Sequence, residues 1–75
     1  LENAEEAHFV LDLLRYYEAV GVNVATQVGV ITFYKGQERL LGRTLAPDFP
    51  GVRVRTVDGF LGGEEDLWDI QLTVG

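Results

Sequence analysis

The chain has no cysteine, no methionine and no serine, and His8 is the only histidine among its 75 residues. Without cysteine, disulfide bonds and zinc sites built on thiolates are excluded. Ser-His-Asp and Cys-His arrangements for nucleophilic catalysis are excluded because the chain has neither serine nor cysteine. Because the chain has no methionine and starts at Leu1, we expect it to be a segment of a longer protein.

Basic residues are also scarce, since twelve acids stand against six bases and the formal net charge is -6. This balance argues against a segment that binds a phosphate backbone by itself.

Long apolar runs are missing, and the first seven residues are acidic where a signal peptide is basic, so we expect no membrane span and no leader. The absence of cysteine is compatible with an intracellular protein. At 47% hydrophobic residues, the chain is too apolar to be disordered.

Hydrophobic periodicity predicts two helices. Over residues 4–20 apolar side chains recur at helical spacing, and the polar side chains fall on the opposite face. Asn3 is a suitable N-cap for this helix, and Glu6 stands three residues later, as in a capping box. A second helix is predicted over about residues 34–45.

Three apolar segments predict strands over residues 28–33, 52–57 and 67–74. The first lacks alternation, which is typical of a strand buried on both faces of a parallel sheet. In the second, Arg53 and Arg55 alternate with valine, so one face is expected to meet water or a polar partner. The first two strands are joined through the second helix, and two strands joined in this way pair in parallel. The sequence therefore predicts one α/β domain over residues 1–75, with helices packed on a short parallel sheet in the order helix, strand, helix, strand, strand.

One segment, residues 56–66, reads Thr-Val-Asp-Gly-Phe-Leu-Gly-Gly-Glu-Glu-Asp and follows the second predicted strand. A Thr and an Asp at a strand end, then a glycine-rich turn with a carboxylate, are typical of a ligand-facing sheet edge. Residues 28–37 read Val-Gly-Val-Ile-Thr-Phe-Tyr-Lys-Gly-Gln, and Asn3 is followed by Glu6-Ala7. Together these segments resemble the second RecA-like motor domain of superfamily 1 helicases, in the branch of RNA-surveillance and senataxin-like enzymes. The resemblance implies a fragment of a RecA-like P-loop NTPase lobe.

The resemblance implies contacts with a single strand of RNA or DNA at the ends of two strands. Thr32 and Thr56 are expected to place hydroxyls near the nucleic-acid backbone, which binds without reading sequence. Tyr34, an aromatic residue at a strand end, is expected to stack on a base. A simpler interpretation of Thr56 and Asp58 is a strand end followed by an Asp-Gly turn.

The resemblance also implies contacts with a nucleotide. Glu64 matches the carboxylate that approaches the ribose in relatives, with Gly62 and Gln37 beside it, and Asp58 is expected to couple the nucleotide and nucleic-acid sides. Leu61 stands where the family has Gln, and a glycine follows Gly62 where the family commonly has a basic residue. These two departures suggest a degenerate or divergent member.

The chain contains no phosphate-binding loop and no Asp-Glu pair for magnesium, so the segment is not expected to hydrolyse ATP alone. No residue is assigned as catalytic or as a metal ligand. ATP and magnesium would belong to the intact parent protein, in which the first RecA-like lobe would be the partner.

Two other interpretations stay open. In the first, the segment is a non-catalytic, helicase-derived module for protein interaction or self-association through an exposed sheet edge. In the second, the carboxylates of residues 64–66 and Asp69 bind calcium or magnesium, and a solvated acidic turn explains the same residues without a metal. Arg53 and Arg55 are compatible with nucleic-acid contact and with a solvated strand face, and His8 is expected at the surface.

Overall fold

A computed structural model of the chain describes residues 2–62 and 68–75, and of residues 60–62 the backbone alone. Its elements are, in order, α1 (Ala4–Ala19), α2 (Val24–Gln27), β1 (Val28–Thr32), α3 (Lys35–Leu45), β2 (Arg53–Thr56), α4 (Val57–Gly62) and β3 (Ile70–Val74). The three strands form one sheet in the order β2-β1-β3, and both pairs are parallel. The predicted α/β fold with a short parallel sheet is confirmed.

The strand register separates two faces of the sheet. Val30 of β1 lies level with Val54 of β2 and Leu72 of β3. Because side chains alternate along a strand, this face is aliphatic along all three strands. It packs with α1 and α3 in one core, whose buried members are Ala7, Val10, Leu14, Val24, Val28, Val30, Leu41, Leu45 and Phe49. All five residues of β1 are buried, as the sequence predicts for the central strand.

On the opposite face of the sheet, the ring of Trp68 packs against the central strand. Gly29 of β1 lies directly under Trp68, which is 6% exposed. The guanidinium of Arg53 sits over the same ring, 5.1 Å from its centroid, and donates to the carbonyl of Thr26 at 3.0 Å. Arg53 is therefore engaged within the fold, and the close approach of Trp68 to the backbone requires a glycine at position 29.

The first helix begins as predicted, but its cap differs from a capping box. The Asn3 side chain accepts a hydrogen bond from the Glu6 N–H at 3.0 Å, which is the expected half of the motif. The return bond comes from elsewhere, because the Asn3 N–H donates to Oε1 of Gln37 at 2.7 Å. A side chain 34 positions away thus replaces Glu6 in this role, and the carboxylate of Glu6 is available for other partners.

The predicted element order is wrong in two places, since it omits two short helices. Helix α2 is one turn long, which is too short for a periodic pattern. At the start of this helix, the Asn23 N–H donates to Oε1 of Gln27 at 2.8 Å. Helix α4 replaces the first part of the predicted glycine-rich turn. The third strand starts at Ile70, three residues later than expected. Phe33 was included in the first predicted strand, but it lies outside β1 and is 60% exposed.

None of the helices that the structure describes combines the length and the apolar character that crossing a bilayer demands.

Candidate functional site

The carboxyl ends of the three strands meet at one edge of the sheet. Thr32, the last residue of β1, pairs in register with Thr56 of β2 on one side and with Val74 of β3 on the other. The chain passes from β1 to β2 and then crosses back over β1 to reach β3. In open α/β sheets, ligands bind outside the carboxyl ends of the strands where the chain reverses in this way. The candidate site is therefore this edge.

Thr56 ends β2 and begins α4. Its Oγ1 accepts a hydrogen bond from the N–H of Gly59 at 3.2 Å, which is the N-cap interaction with the third residue of the helix. A Cβ at position 59 would lie 3.2 Å from the same oxygen, so glycine leaves this contact room. Thr56 is 7% exposed. The pattern Thr-x-x-Gly thus sets the start of a helix at the sheet edge, where the simpler sequence interpretation had a turn.

Thr32 is fully buried at the tip of the central strand. Its Oγ1 lies 3.5 Å from the carbonyl oxygen of Gly75, to which it donates, and 3.5 Å from the Tyr34 N–H, from which it accepts. The hydroxyl thereby joins the ends of β1 and β3. The predicted contact of Thr32 with nucleic acid stays a prediction. It requires Gly75 and Tyr34, which contact this hydroxyl, to move away from it.

An open groove of about 640 Å³ lies over the ends of β1 and β2, and we call it the β1–β2 groove. Its lining consists of Phe33, Lys35, Thr56, Val57, Asp58 and Gly59. Lys35 is the only basic residue among them and the only lysine of the chain. Phe33 exposes 60% of its surface there. An exposed aromatic ring next to an ammonium group suits a single strand, whose bases stack and whose phosphates attract cations.

A second groove of about 570 Å³, the β1–β3 groove, lies over the ends of β1 and β3. It is lined by the ring of Tyr34, by Gln37, by Gly75 and by the N-terminal turn of α1, which contributes several carboxylates, Glu6 among them. Tyr34 is 47% exposed. Because no basic residue is among the described residues that line it, this groove is a poorer place for phosphate than the β1–β2 groove.

Gln37 is 1% exposed and uses its amide within the protein. Its Oε1 accepts from the Asn3 N–H, while its Nε2 donates to the Asn3 carbonyl at 3.0 Å and to Glu6 Oε1 at 2.9 Å. Both amide hydrogens therefore have acceptors within the fold. The predicted contact of Gln37 with a nucleotide stays a prediction, and in this arrangement its amide joins α3 to α1.

The other predicted site residues lie apart from these contacts or beyond the described part of the chain. Asp58 is exposed in the first turn of α4 and lines the β1–β2 groove. Gly62 is the last residue of α4. Glu64, with the rest of residues 63–67, lies outside the described residues. Among the residues that are described, no three His, Asp or Glu side chains are grouped closely enough to hold a metal ion.

Sequence reasoning missed three residues of this edge. It placed Lys35 within the second predicted helix without assigning it a role, and it placed Phe33 in the first predicted strand, which it expected to be buried on both faces. It treated Glu6 as a local cap. The position of Lys35 two residues after a predicted strand end was the available signal, because side chains just beyond the carboxyl ends of parallel strands lie where open α/β sheets bind ligands. No sequence signal connects Glu6 with Gln37.

The sequence of the chain is similar to those of known proteins. The sequence model of one family, described as an AAA domain, matches residues 1–70. The chain is 37% identical over 67 residues to the NFX1-type zinc finger-containing protein 1 of Homo sapiens, covering 88% of this chain and 3% of that protein. It is 38% identical over 71 residues to the 5'-3' DNA helicase ZGRF1 of Mus musculus, covering 87% of this chain and 4% of that protein. No solved structure gives a significant match.

Proposed function

Since this chain belongs to the AAA-domain family and is a segment of the superfamily 1 helicase type, we propose that it forms part of the second motor lobe of an ATP-dependent helicase. In this proposal the lobe closes with the first RecA-like lobe around ATP and magnesium and steps along a single strand of RNA or DNA. The chain spans 3% and 4% of the two relatives, so the remaining catalytic parts would lie elsewhere in the parent protein.

The observation that best supports the proposal is the register of Thr32 and Thr56 at the carboxyl ends of two parallel strands. Beside them, the β1–β2 groove combines the exposed ring of Phe33 with the ammonium group of Lys35. A translocating motor needs contacts with phosphate and with base faces that do not depend on sequence, and these two groups supply that chemistry.

The nucleotide side of the proposal is supported by the position of the chain reversal between β1 and β3. The groove on this side is acidic. Tyr34 also lines it, and its stacking on a base of the nucleic acid stays a prediction. Carboxylates accept hydrogen bonds from sugar hydroxyls but repel phosphate, so this side would receive the ribose while the first lobe holds the phosphates. In the proposal, Glu64 and Gly62 extend this side and Asp58 couples it to the β1–β2 groove.

An ATPase assay on the intact parent protein, with and without single-stranded RNA and DNA, tests the motor. We expect turnover that depends on magnesium and is stimulated by one of the two nucleic acids. Absence of nucleotide turnover in a complete two-lobed protein would remove the motor proposal.

Lys35→Ala in the parent protein should weaken binding of single strands and make it less dependent on salt. One lost phosphate contact lowers the slope of log K against log salt by about 0.7 for a single strand. The measurement is a fluorescence-anisotropy titration of a labelled oligonucleotide at several salt concentrations.

Arg39→Ala is the matched control for Lys35→Ala, because it removes the same charge from an exposed position one turn further along α3. It should leave the salt slope close to that of the wild type. Equal changes of the salt slope in both variants would show that Lys35 acts only through the net charge of the protein. The β1–β2 groove would then no longer be assigned to the binding of a single strand.

A second function, protein interaction or self-association, is favoured by one specific observation. Phe9, Tyr16 and Val20 lie on α1 or at its end, outside the core, and are 65%, 61% and 59% exposed. Since β2 and β3 are the edge strands of the sheet, strand pairing with a second copy is also available. Sedimentation of the 75-residue chain over a range of concentrations tests this: a monomer at all concentrations would remove self-association.

A further inference from the structure

The carboxylate of Glu6 contacts two other parts of the fold at once. Its Oε1 accepts from Gln37 Nε2 at 2.9 Å, and its Oε2 accepts from the Gly75 N–H at 3.2 Å. These bonds span 31 and 69 positions of sequence. One half-buried carboxylate in the first turn of α1 therefore joins the first turn of α3 to the residue that follows β3.

The contacts continue to the tip of the central strand. Gly75, held through its N–H by Glu6, accepts from the Thr32 hydroxyl with its carbonyl oxygen. Gln37, held through its Nε2, exchanges two hydrogen bonds with the backbone of Asn3. Both oxygens of Glu6 are thus used by protein groups that border the β1–β3 groove.

We propose that Glu6 is a positioning residue that fixes the β1–β3 groove by holding Gln37 and Gly75 in one mutual arrangement. The inference rests on the proposed motor function, in which Thr32 and Tyr34 at this edge face ligands. Glu6 acts through Gln37 and Gly75. Moving α1 relative to β3 would break one of its two bonds, so the position of α1 and the shape of the groove are linked.

The substitution Glu6→Gln isolates this role because it changes the size of the side chain very little. An amide has one accepting oxygen and one donating nitrogen, whereas both groups facing Glu6 are donors. In either orientation, the new NH₂ group faces the Nε2 of Gln37 or the N–H of Gly75. The variant therefore loses one of the two bonds and gains a donor–donor contact.

The test is made on the full-length parent protein with two readouts. In Glu6→Gln, amide hydrogen exchange without ligand should become about tenfold faster at Gly75, whose N–H then loses its charged acceptor, or at Asn3, whose acceptor Gln37 is then no longer held by position 6. The stimulation of ATP turnover by a single strand should fall about tenfold at temperatures well below the Tm, because misplaced binding groups reduce rate steeply. Glu18→Gln, with the same charge change at an exposed position of α1, should alter neither readout.

The double variant Glu6→Gln/Gln37→Glu provides a rescue at Gly75 alone, because a carboxylate at position 37 still leaves the Asn3 carbonyl without its donor. The amide at position 6 can then donate to the carboxylate at position 37 while its oxygen accepts from Gly75, so protection of the Gly75 amide should return. Unchanged exchange in Glu6→Gln would overturn the proposal. Faster exchange with an unchanged stimulation ratio would also overturn it, since Glu6 would then be purely structural. A wild-type protein without ATP turnover would refute the motor instead, and the exchange data would still decide whether Glu6 joins the three elements.

Discussion

Gly29→Ala should destabilise this fold by about 3 kcal/mol, at the upper end of the usual cost of overpacking. A Cβ at position 29 would lie 1.9 Å from Cε3 of Trp68 and within 2.4 Å of two other ring atoms. No rotation of a methyl group relieves such an overlap, so the ring or β1 must move, and β1 is the central strand. For a domain of this size, each kcal/mol lowers the Tm by about 4–8 °C. Urea denaturation followed by the fluorescence of Trp68, the only tryptophan, measures the loss.

Gly42→Ala is the control for Gly29→Ala. A Cβ at Gly42, in the interior of α3, would meet nothing within 4 Å. Alanine there should stabilise the chain by about 0.5–1 kcal/mol, because glycine is the weaker helix former. In a Trp68→Leu background, followed by circular dichroism, most of the penalty at position 29 should disappear. A full penalty in that background would show that the contact with Trp68 is not its cause.

Gln37→Leu should cost about 3 kcal/mol, because it leaves three groups without the partly buried hydrogen bonds that the amide of Gln37 makes with them. The Asn3 N–H, the Asn3 carbonyl and Oε1 of Glu6 each lose a hydrogen bond, while the leucine side chain has a similar size. Gln37→Glu should be at least as damaging, since it places a carboxylate oxygen against the Asn3 carbonyl and against Glu6. Thermal unfolding followed by circular dichroism measures both variants.

Gln27→Leu is the matched control for Gln37→Leu. Gln27 makes the same kind of bond, with its Oε1 accepting from the N–H of an asparagine four positions earlier, but the bond is exposed. Because water can replace an exposed partner, we expect a loss of less than about 1 kcal/mol. Similar losses in the two variants would mean that the contacts of Gln37 contribute no more to stability than a local cap.

The parallel sheet and the edge at which its strand ends meet were predictable from the sequence. The unbroken apolar run of β1, the alternation in β2 and the helical spacing of α1 are local patterns. Each of them predicts which side chains of its element are buried. Parallel strands bring their carboxyl ends together, so the neighbouring positions of Thr32 and Thr56 followed from topology alone, and the register confirms them. Their contacts with nucleic acid, like the roles of Glu64, Gly62, Gln37 and Asp58, stay predictions.

The short helices were beyond prediction for a different reason. Four or six residues are too few for a helical pattern of apolar residues to be distinguished from chance. Helix α4 also has two glycines, which favour a turn by composition. Its start depends on the hydroxyl of Thr56, whose N-cap bond satisfies a helical N–H at the sheet edge. A Thr at a strand end is equally compatible with a turn, so only the tertiary structure distinguishes the two.

The sequence by itself determined that this chain is an α/β segment of the helicase type, with a parallel sheet and a rim of polar residues at the carboxyl ends of its strands. Only the tertiary structure decided that Gln37 completes the cap of α1, that Glu6 joins Gln37 to Gly75, and that Trp68 covers Gly29. The physical reason is the separation along the sequence of the residues that interact. Periodicity and capping act within one or two turns of the chain, whereas these contacts join residues that become neighbours only when the helices and strands have packed.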